Sequence, residues 1–282
     1  MPKRLRQSRA MRTAGLVLLF ALVAVIWVFY LFPMYWLVTA SLKSRPDLFS
    51  MPPKWFFSPT LQYYLNSFQN EEFTRAVRNS LFITAITVIC SLSLGSLAAY
   101  AFARFKFRAA TGLGFSLIIA RMVPPIVFVV PLFLMLDRLH LRNTYGGLVL
   151  VFTAFNLPFS VWMLRSFFED VPIELEEAAW IDGASRLGAF LRIIVPLTAP
   201  GMAASAVFAA LLAWNEFMFA LLMGGPNTTT LPVYLSGFMG EHGVDWGGIM
   251  ATATITVLPP VIFAMLVQRN LIKGLTLGAV KG

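Results

Sequence analysis

The stretch that decides the fold is AGLVLLFALVAVIWVFYLFPMYWLV, which runs from Ala14 to Val38 without a charged residue. A helix needs about 20 mostly apolar residues to cross the hydrocarbon core of a membrane, and this run is longer. The apolar core of a cleavable signal peptide is only about 7–15 residues long. The run is therefore predicted to be an uncleaved transmembrane helix, preceded by a basic tail over residues 1–13.

Five further segments meet the same rule of length and composition, which makes six predicted spans. These other spans are predicted at Ala76–Phe102, Leu113–Leu136, Tyr145–Leu164, Leu197–Met223 and Gly248–Val267. The whole chain of 282 residues is 58% hydrophobic and 12% charged, about half the charged share of a typical soluble domain. The predicted fold class is an all-α integral membrane protein, with a transmembrane domain over 14–268 and a C-terminal tail over 269–282.

Positive charge predicts the orientation of these spans. The chain has a formal net charge of +9. There are twice as many Lys and Arg residues in the loops and tails on the side of the N-terminus as on the opposite side. Cytoplasmic loops of membrane proteins carry such an excess, so both termini are predicted to be cytoplasmic. The same bias accounts for the net charge without nucleic-acid binding, for which the sequence contains no recognisable module.

The first outer segment, from about Ala40 to Arg75, is rich in proline and aromatic residues. This composition suits a folded lid that lies on the membrane surface. It equally suits simple anchoring at the interface by Trp and Tyr side chains. The sequence leaves both interpretations open.

Few residues of this chain have the chemistry of a catalytic or metal site. Cys90 is the single cysteine, so an internal disulfide is excluded. The two histidines, His140 and His242, fall in predicted outer loops and are interpreted as solvated or interfacial residues. No Gly-x-x-x-x-Gly-Lys-[Ser/Thr] phosphate loop is present. We therefore expect no catalytic site and no metal in this chain, and any ATP hydrolysis must come from another protein.

The loop between the fourth and fifth spans, residues 166–196, has the pattern of two short helices joined at a glycine. Pro172 suits the first position of a helix. Carboxylates follow in the first turns, where they complement the helix dipole: Glu174, Glu176 and Glu177. Gly183 can adopt a left-handed conformation and end that helix. A second helix is predicted from about Ser185 to Val195.

Within this loop, a fixed spacing joins Glu177-Ala178-Ala179 to Gly183, Ile193 and Val195-Pro196. The pattern resembles the EAA loop of bacterial ABC-importer permeases, in which Leu is usual at the position of Val195. The resemblance implies that the loop is a coupling helix that docks on a separate ATPase. The implied docking residues are Glu177, Ala178, Ala179, Asp182 and Gly183. Their chemistry agrees, because small residues permit close approach and carboxylates offer charge-assisted bonds to a basic partner.

Four other segments narrow the resemblance to permeases of the maltose type: Asn143–Leu148, Trp214–Phe217, Leu231–Val233 and Gln268–Gly282. The resemblance implies a type I importer in the bacterial cytoplasmic membrane, which moves a sugar or sugar derivative by alternating access. It also implies a homologous sister permease, an ATPase dimer that binds ATP and Mg, and an extracytoplasmic sugar-binding protein. Membrane lipid is a further expected partner, nucleic acid is not expected as one, and no cofactor is expected in this chain.

Ionisable groups inside spans are costly, and they are candidates for function. Arg121 and Glu216 are such groups, and three prolines after Arg121 are predicted to break or bend the third span: Pro124, Pro125 and Pro131. Sugars are bound by aromatic faces and by polar groups that read hydroxyls. The predicted pathway residues are Arg121, Asn156, Trp214, Asn215 and Glu216. Alternatively, Arg121 and Glu216 pair with other spans or with the sister permease and only hold the helices together.

Two other classes of membrane protein fit the sequence less well than the importer. A secondary transporter driven by an ion gradient is expected to show intramembrane acids and inverted repeats, but only one acid falls in a predicted span and no repeat is evident. An integral membrane enzyme is expected to show a His- or Asp-rich cluster at a membrane face, which the sequence lacks. The choice of sugar, neutral or anionic, and the pairing with itself or with a sister chain both stay open.

Overall fold

The computed structural model describes residues 2–240 and 243–279, and it describes side chains for 15–238 and 244–266. His242 and the last three residues of the predicted C-terminal tail lie outside the described residues. In chain order the helices and strands are α1 Pro2–Ser41, α2 Arg45–Leu48, α3 Gln62–Gln69, α4 Glu71–Arg104, α5 Ala110–Met122, a 3₁₀ turn Pro125–Phe128, α6 Val129–Arg138, α7 Tyr145–Glu169, α8 Glu174–Ile181, α9 Arg186–Ala189, a π-helical turn Phe190–Ile194, α10 Val195–Leu197, α11 Ala199–Trp214, α12 Met218–Met223, α13 Leu231–Ser236, β1 Met239–Gly240, β2 Gly243–Val244 and α14 Trp246–Ala279.

Among the described residues, four helices are long and apolar enough to cross a membrane without a break: α1 from Gly15, α4, α7, and α14 as far as Leu266. Two further pairs of helices pass the same test only when taken together. The pair α5 and α6 is bent by 100°, and the pair formed by Arg186–Leu197 and α11 is bent by 80°. The total is six if each bent pair is one span.

The break in the third predicted span is confirmed. Helix α5 ends at Met122, and a 3₁₀ turn that begins at Pro125 leads into α6. Proline has no backbone N–H and disfavours a helical residue before it, so Pro124 and Pro125 cannot continue α5. Pro131 lies in the first turn of α6, where the missing N–H would have had no partner within the helix.

The fifth predicted span, Leu197–Met223, was expected to be one helix, and this expectation is wrong. Helix α11 begins only at Ala199 after a bend, ends at Trp214, and is separated from α12 by three residues. The physical reason for the break between α11 and α12 is the side chain of Glu216. Its Oε1 atom accepts a hydrogen bond of 3.0 Å from the backbone N–H of Phe219, in the first turn of α12. A carboxylate that satisfies a free N–H favours the start of a new helix there.

Both predicted tails contain helix. Helix α1 already begins at Pro2, inside the tail predicted over 1–13, and α14 continues past residue 268 to Ala279. Helices α1 and α14 are therefore longer than the candidate spans within them, Gly15–Ser41 and Trp246–Leu266.

The described chain divides into two compact units, of which the first comprises Met1–Gln69 and Phe238–Ile255. Within this unit the hydroxyl groups of Ser41 and Tyr64 lie 2.6 Å apart. The buried ammonium of Lys43 lies 4.6 Å from the ring centroid of Trp36 and 5.2 Å from that of Phe57. The part of the proline-rich outer segment in this unit is thus folded through its own contacts.

The second unit comprises Asn70–Gly237 and Thr256–Gly282. Helix α4 packs along α7, and α11 packs against both. One apolar cluster is built from Ile83, Leu136, Leu148, Val151, Phe152, Ala213, Phe219, Ala220 and Met223. A second apolar cluster is built from Ala99, Tyr100, Val161, Leu164, Phe168, Phe190 and Ile194. The two clusters lie toward opposite ends of the α4–α7 pair.

Between these clusters, the buried face of α4 carries small and weakly polar residues at helical spacing: Ser80, Thr84, Thr87, Ser91 and Gly95. A Cβ atom added at Gly95 would lie 3.0 Å from the Cβ of Ser160 in α7. Membrane helices pack closely where small residues let their backbones approach. The absence of a side chain at Gly95 therefore sets the separation of α4 and α7.

Candidate coupling site

Helix α8 forms the first half of the loop predicted to be a coupling element. It runs from Glu174 to Ile181, two residues later than the start predicted at Pro172. Gly183 follows with φ = 90°, a left-handed conformation that ends the helix as predicted. The Gly183 N–H donates to the carbonyl of Trp180 at 3.1 Å. The turn between the two halves of the loop is therefore fixed by the glycine.

The second half of the loop is helical from Arg186 to Leu197, close to the range predicted from Ser185 to Val195, but the helix is not regular throughout. Ser185 starts it by accepting a hydrogen bond of 3.1 Å from the N–H of Gly188. A π-helical turn over Phe190–Ile194 then interrupts the regular pattern before α10. Pro196 has no N–H to donate to the Arg192 carbonyl, so an α-helical bond is missing at this point.

The residues predicted to dock on an ATPase form one edge of α8 and the turn after it. Ala179 is half-buried. The other four residues are exposed: Glu177, Ala178, Asp182 and Gly183. A Cβ atom at Gly183 would meet no other atom within 4 Å, so the surface there is open. The large apolar side chain of Ile181, next to this turn, is 86% exposed. The surface therefore combines small residues, two carboxylates and one apolar side chain.

Glu176 differs from the other acids of α8, because its side chain is completely buried. Its Oε2 atom accepts a hydrogen bond of 2.5 Å from the hydroxyl of Tyr100, and its Oε1 atom accepts one from Nε of Arg104. The Nη2 atom of Arg104 donates to the carbonyl of Val171 at 2.8 Å. Glu176 was predicted only to complement the dipole of α8, and the structure adds this buried contact with α4.

Aromatic rings close this cluster on the side of the second half-loop. The ring of Phe190 lies 4.7 Å from that of Tyr100 and 5.9 Å from that of Phe168. The guanidinium of Arg186 lies over Trp180 at 4.9 Å and over Phe105 at 5.3 Å. Both halves of the loop are therefore packed against the end of α4.

The five residues predicted to line a substrate pathway are dispersed between the surface and the interior. Trp214 is 2% exposed, and its Nε1 atom donates to the carbonyl of Thr256 at 3.0 Å. Asn156 is also buried, and its Nδ2 atom donates to the carbonyl of Phe152 at 3.0 Å. In this structure, therefore, these two side chains face the interior of the protein.

Asn215 and Glu216 occupy the break between α11 and α12. Asn215 is exposed, and its Nδ2 atom donates to the carbonyl of Leu211 at 2.8 Å. Glu216 is half-buried and binds the first turn of α12 through the contact with Phe219. Intramembrane breaks of this kind expose backbone and polar groups where regular helices would not.

Arg121 lines a cavity of about 680 Å³ between α5 and α7. Its guanidinium lies 5.6 Å from the ring centroid of Phe159, over the ring face. The cavity has mostly apolar walls with one further guanidinium, and it is lined by Phe102, Ala110, Thr111, Gly114, Phe115, Leu117, Ile118, Pro158, Phe159, Val161, Trp162 and Arg165. The other four predicted pathway residues do not line it.

The family of this chain is shown by its similarity to known proteins. Residues 91–277 match the family described as the binding-protein-dependent transport system inner membrane component. The chain belongs to this family. The match includes the loop with α8, both bent helix pairs and most of α14.

Relatives of this inner membrane component align with it over most of their length. The trehalose/maltose transport system permease protein of Thermococcus litoralis is 37% identical over 256 residues, which cover 89% of this chain and 92% of the relative. The sulfoquinovosyl glycerol transport system permease protein of Agrobacterium fabrum is 37% identical over 274 residues, which cover 95% of each chain. The family includes members named for different sugar substrates.

A solved structure shows the fold of this inner membrane component. A chain of a bacterial ABC transporter involved in the import of the acidic polysaccharide alginate superimposes with a TM-score of 0.79 at 23% identity. The match covers 93% of this chain and 97% of that chain. The fold is therefore that of an ABC transporter permease.

Proposed function

We propose that this chain is the transmembrane permease subunit of an ATP-binding-cassette importer for a sugar or sugar derivative. Family membership supports the transport role, and the substrates named in the trehalose/maltose and sulfoquinovosyl glycerol relatives support the substrate class. Alternating access is the mechanism by which the chain moves its substrate across the cytoplasmic membrane. The ion-driven secondary transporter is not favoured by any of these relatives.

The observation that carries the proposal is the exposed edge of α8, with Glu177 and Ala178 on the helix and Asp182 and Gly183 at its end. A docking helix must let the partner approach its backbone closely, and it must offer charged groups with which the partner can form ion pairs. Ala178 and Gly183 meet the first need, and the two carboxylates meet the second. This edge is the coupling surface, and the partner ATPase supplies the basic groups that complement it.

The remaining parts of the assembly follow from this role. A separate ATPase dimer binds ATP and Mg and supplies the energy, and a sister permease completes the translocation path. An extracytoplasmic binding protein delivers the sugar. Both termini and α8 lie on the cytoplasmic side, in agreement with the excess of Lys and Arg in the corresponding segments.

Arg121, Asn215 and Glu216 are the best-placed of the predicted pathway residues. Arg121 lines a cavity and the other two occupy a helix break, so all three carry polar groups at irregular or open places in the spans. Asn156 and Trp214 are buried here, and they reach a pathway only in a state where the helices have moved apart. The sugar is recognised by these groups together with those of the sister permease.

Co-purification tests the proposal. The tagged chain is expressed with the ATPase and permease encoded beside it, and the amount of ATPase retained is measured. Glu177→Ala and Ala178→Arg are expected to reduce the retained ATPase about tenfold or more, which corresponds to about 1.4 kcal/mol of binding free energy. Gly183 is less suitable, since its φ of 90° makes any other residue strained.

Glu174→Ala is the matched control, because Glu174 is an exposed acid of the same helix outside the predicted docking set. This variant is expected to retain the ATPase like the wild type. If no ATPase associates with the wild type, or if the chain alone transports sugar with an ion gradient, the importer assignment is wrong. Equal loss for Glu174→Ala and Glu177→Ala would show a general charge effect and would contradict the docking edge.

A further inference from the structure

The ion pair between Arg104 and Glu176 is buried on both sides, with side-chain exposures of 7% and 0%. Removing two charges from water is costly, and apolar residues of similar volume often stabilise a protein as well or better. Stability alone therefore gives a weak reason for such a pair. Its geometry is more informative, because every polar contact of the pair joins α4 to the segment that begins α8.

Three hydrogen bonds make this connection. Tyr100 and Arg104 lie one helical turn apart on the same face of α4, and both donate to the carboxylate of Glu176. Arg104 also donates to the carbonyl of Val171, just before α8. Both carboxylate oxygens of Glu176 are thus held by donors from one helix. We refer to Tyr100, Arg104 and Glu176 as the α4–α8 clamp.

The chain itself joins α8 to a different helix. Residues 170–173 connect α8 to the end of α7, whereas the clamp connects it to the end of α4. Directional bonds between buried charges resist both sliding and rotation of one helix against another. The clamp therefore adds to the covalent connection a second restraint on the orientation of α8, which comes from α4.

We propose that the α4–α8 clamp makes the coupling helix move as one body with α4, so that a displacement of α8 by the ATPase is delivered to α4. The inference rests on the function proposed above and adds the residues that carry the movement. Tyr100, Arg104 and Glu176 act as positioning residues, because they hold α8 and touch no substrate. Helix α4 then passes the movement to α7 and α11, against which it packs.

The decisive variant replaces the whole clamp with apolar residues: Tyr100→Phe, Arg104→Met and Glu176→Met. Removing both charges together avoids the unpaired buried charge that a single substitution would leave. Arg104→Lys is a milder second variant, because Lys keeps the charge but lacks the planar fork that reaches two acceptors. The control removes an exposed ion pair at the far end of α6, with Asp137→Asn and Arg142→Gln.

The readout is a distance between two spin labels on the assembled transporter. In a Cys90→Ala background, one label is attached through Glu174→Cys on α8 and the other through Leu97→Cys on α4, and both positions are exposed. The distance distribution is measured without nucleotide and after trapping with MgATP and vanadate. Co-purification of the ATPase is recorded for each sample.

With the intact clamp, and in the control, the label distance is expected to be the same in both states. In the apolar triple variant, the ATPase is expected to be retained while the distance shifts or broadens on trapping, and Arg104→Lys is expected to broaden it less. A triple variant with the wild-type distance in both states would overturn the inference. So would a label distance that changes on trapping in the wild type. Failure of the wild type to retain any ATPase would instead remove the proposed function, and this inference with it.

Discussion

The hydroxyl of Tyr145 in α7 donates a hydrogen bond of 2.8 Å to the side-chain oxygen of Asn79 in α4. The Nδ2 atom of the same asparagine donates to the carbonyls of Asn227 at 3.1 Å and Thr229 at 2.9 Å. Asn79 is completely buried, and the neighbouring Ser80 accepts a bond of 2.7 Å from the N–H of Leu231. The loop before α13 is thus bound to the beginning of α4 by side chains of α4.

Asn79→Ala is expected to lower the free energy of unfolding by about 1–3 kcal/mol, since buried partners lose their hydrogen bonds. Tyr145→Phe removes only one of the three bonds and is expected to cost about 1 kcal/mol or less. Thermal unfolding in detergent, followed by circular dichroism, gives the comparison. Equal effects of the two substitutions would contradict the central position of Asn79 in this network.

Two adjacent glycines in the first turn of α7 are expected to differ sharply on substitution. A Cβ atom at Gly147 would collide with the backbone carbonyl of Leu141, which cannot rotate away, whereas one at Gly146 would meet only the Thr144 hydroxyl at 4.0 Å. Gly147→Ala is expected to destabilise by about 1–3 kcal/mol or more. Gly146→Ala is expected to be neutral, or stabilising by up to about 1 kcal/mol because alanine favours a helix.

The same thermal measurement separates these two variants. Because both substitutions add one methyl group to the same helical turn, differences in helix propensity cancel in the comparison. A Gly147→Ala variant as stable as Gly146→Ala would show that the backbone contact with Leu141 is looser than the structure has it.

Transport assays test the predicted pathway. Arg121→Ala and Glu216→Ala are expected to lower sugar uptake about tenfold or more in assemblies that still retain the ATPase, which corresponds to about 1.4 kcal/mol. Glu216→Gln is the matched control for the structural role, because its side-chain oxygen still accepts the Phe219 N–H. Normal uptake by both alanine variants would end the pathway hypothesis, and loss in Glu216→Ala with full uptake in Glu216→Gln would assign Glu216 to helix capping alone.

The outer segment offers a prediction about pH. A hydrogen bond from Lys54 at 2.6 Å, and a second from Ser44, lower the pKa of Asp47 below its usual value of 3.8. A carboxyl whose pKa is lower in the folded than in the unfolded state stabilises the fold at neutral pH, and the contribution is lost as the pH falls through the lowered pKa. Lys54→Met is therefore expected to raise the pKa of Asp47.

Titration of ¹³C-labelled aspartate carboxyls by NMR measures this pKa, with Asp47→Asn to assign the signal. Arg142→Met removes a comparable exposed partner from Asp137 and serves as the control that leaves the Asp47 titration unchanged. An Asp47 titration that is the same in Lys54→Met and in the wild type would show that the pair does not form in solution.

The sequence predicted the long helices well, because a continuous apolar run has few other stable structures. It also predicted the break after Met122, since two consecutive prolines remove N–H groups and disfavour the helix before them. The break at Asn215 was missed because the run from Leu197 to Met223 has no proline or glycine near that point. The single carboxylate in this apolar run, Glu216, was predicted to face a substrate pathway, and its contact with the first turn of α12 was not predicted.

The candidate coupling site was predicted from local pattern and resemblance, and Gly183 ends α8 as expected. The contacts of Glu176 were not predicted, because Tyr100 and Arg104 lie more than seventy positions earlier in the chain. The helix dipole alone accounts for the acids in the first turns of α8, so their pattern does not indicate that one of them is buried. The difference between the buried Glu176 and the exposed Glu177 arises only from the packing of α4 against the loop.

The segment around Asn143 had been linked to sugar permeases by resemblance, and the structure gives it a structural explanation. Asn143 has a left-handed φ of 52°, and its side-chain oxygen accepts hydrogen bonds from Asn227 and Thr228. Thr144 begins α7 by accepting the N–H of Gly147 at 3.1 Å. These residues build a corner between two helices and a loop.

Helix α4 is held by polar contacts near both of its ends, to the loop before α13 through Asn79 and Ser80 and to α8 through Tyr100 and Arg104. Those anchor points are separated by about 20–25 residues, or about 30–38 Å along a helix. If the binding of a protein at either end displaced this one helix, thermodynamic linkage would make the influence of the two binding events mutual. If a protein bound at the α13 end and changed the affinity of an ATPase for α8 by some factor, the ATPase would change the affinity of that protein for the α13 end by the same factor.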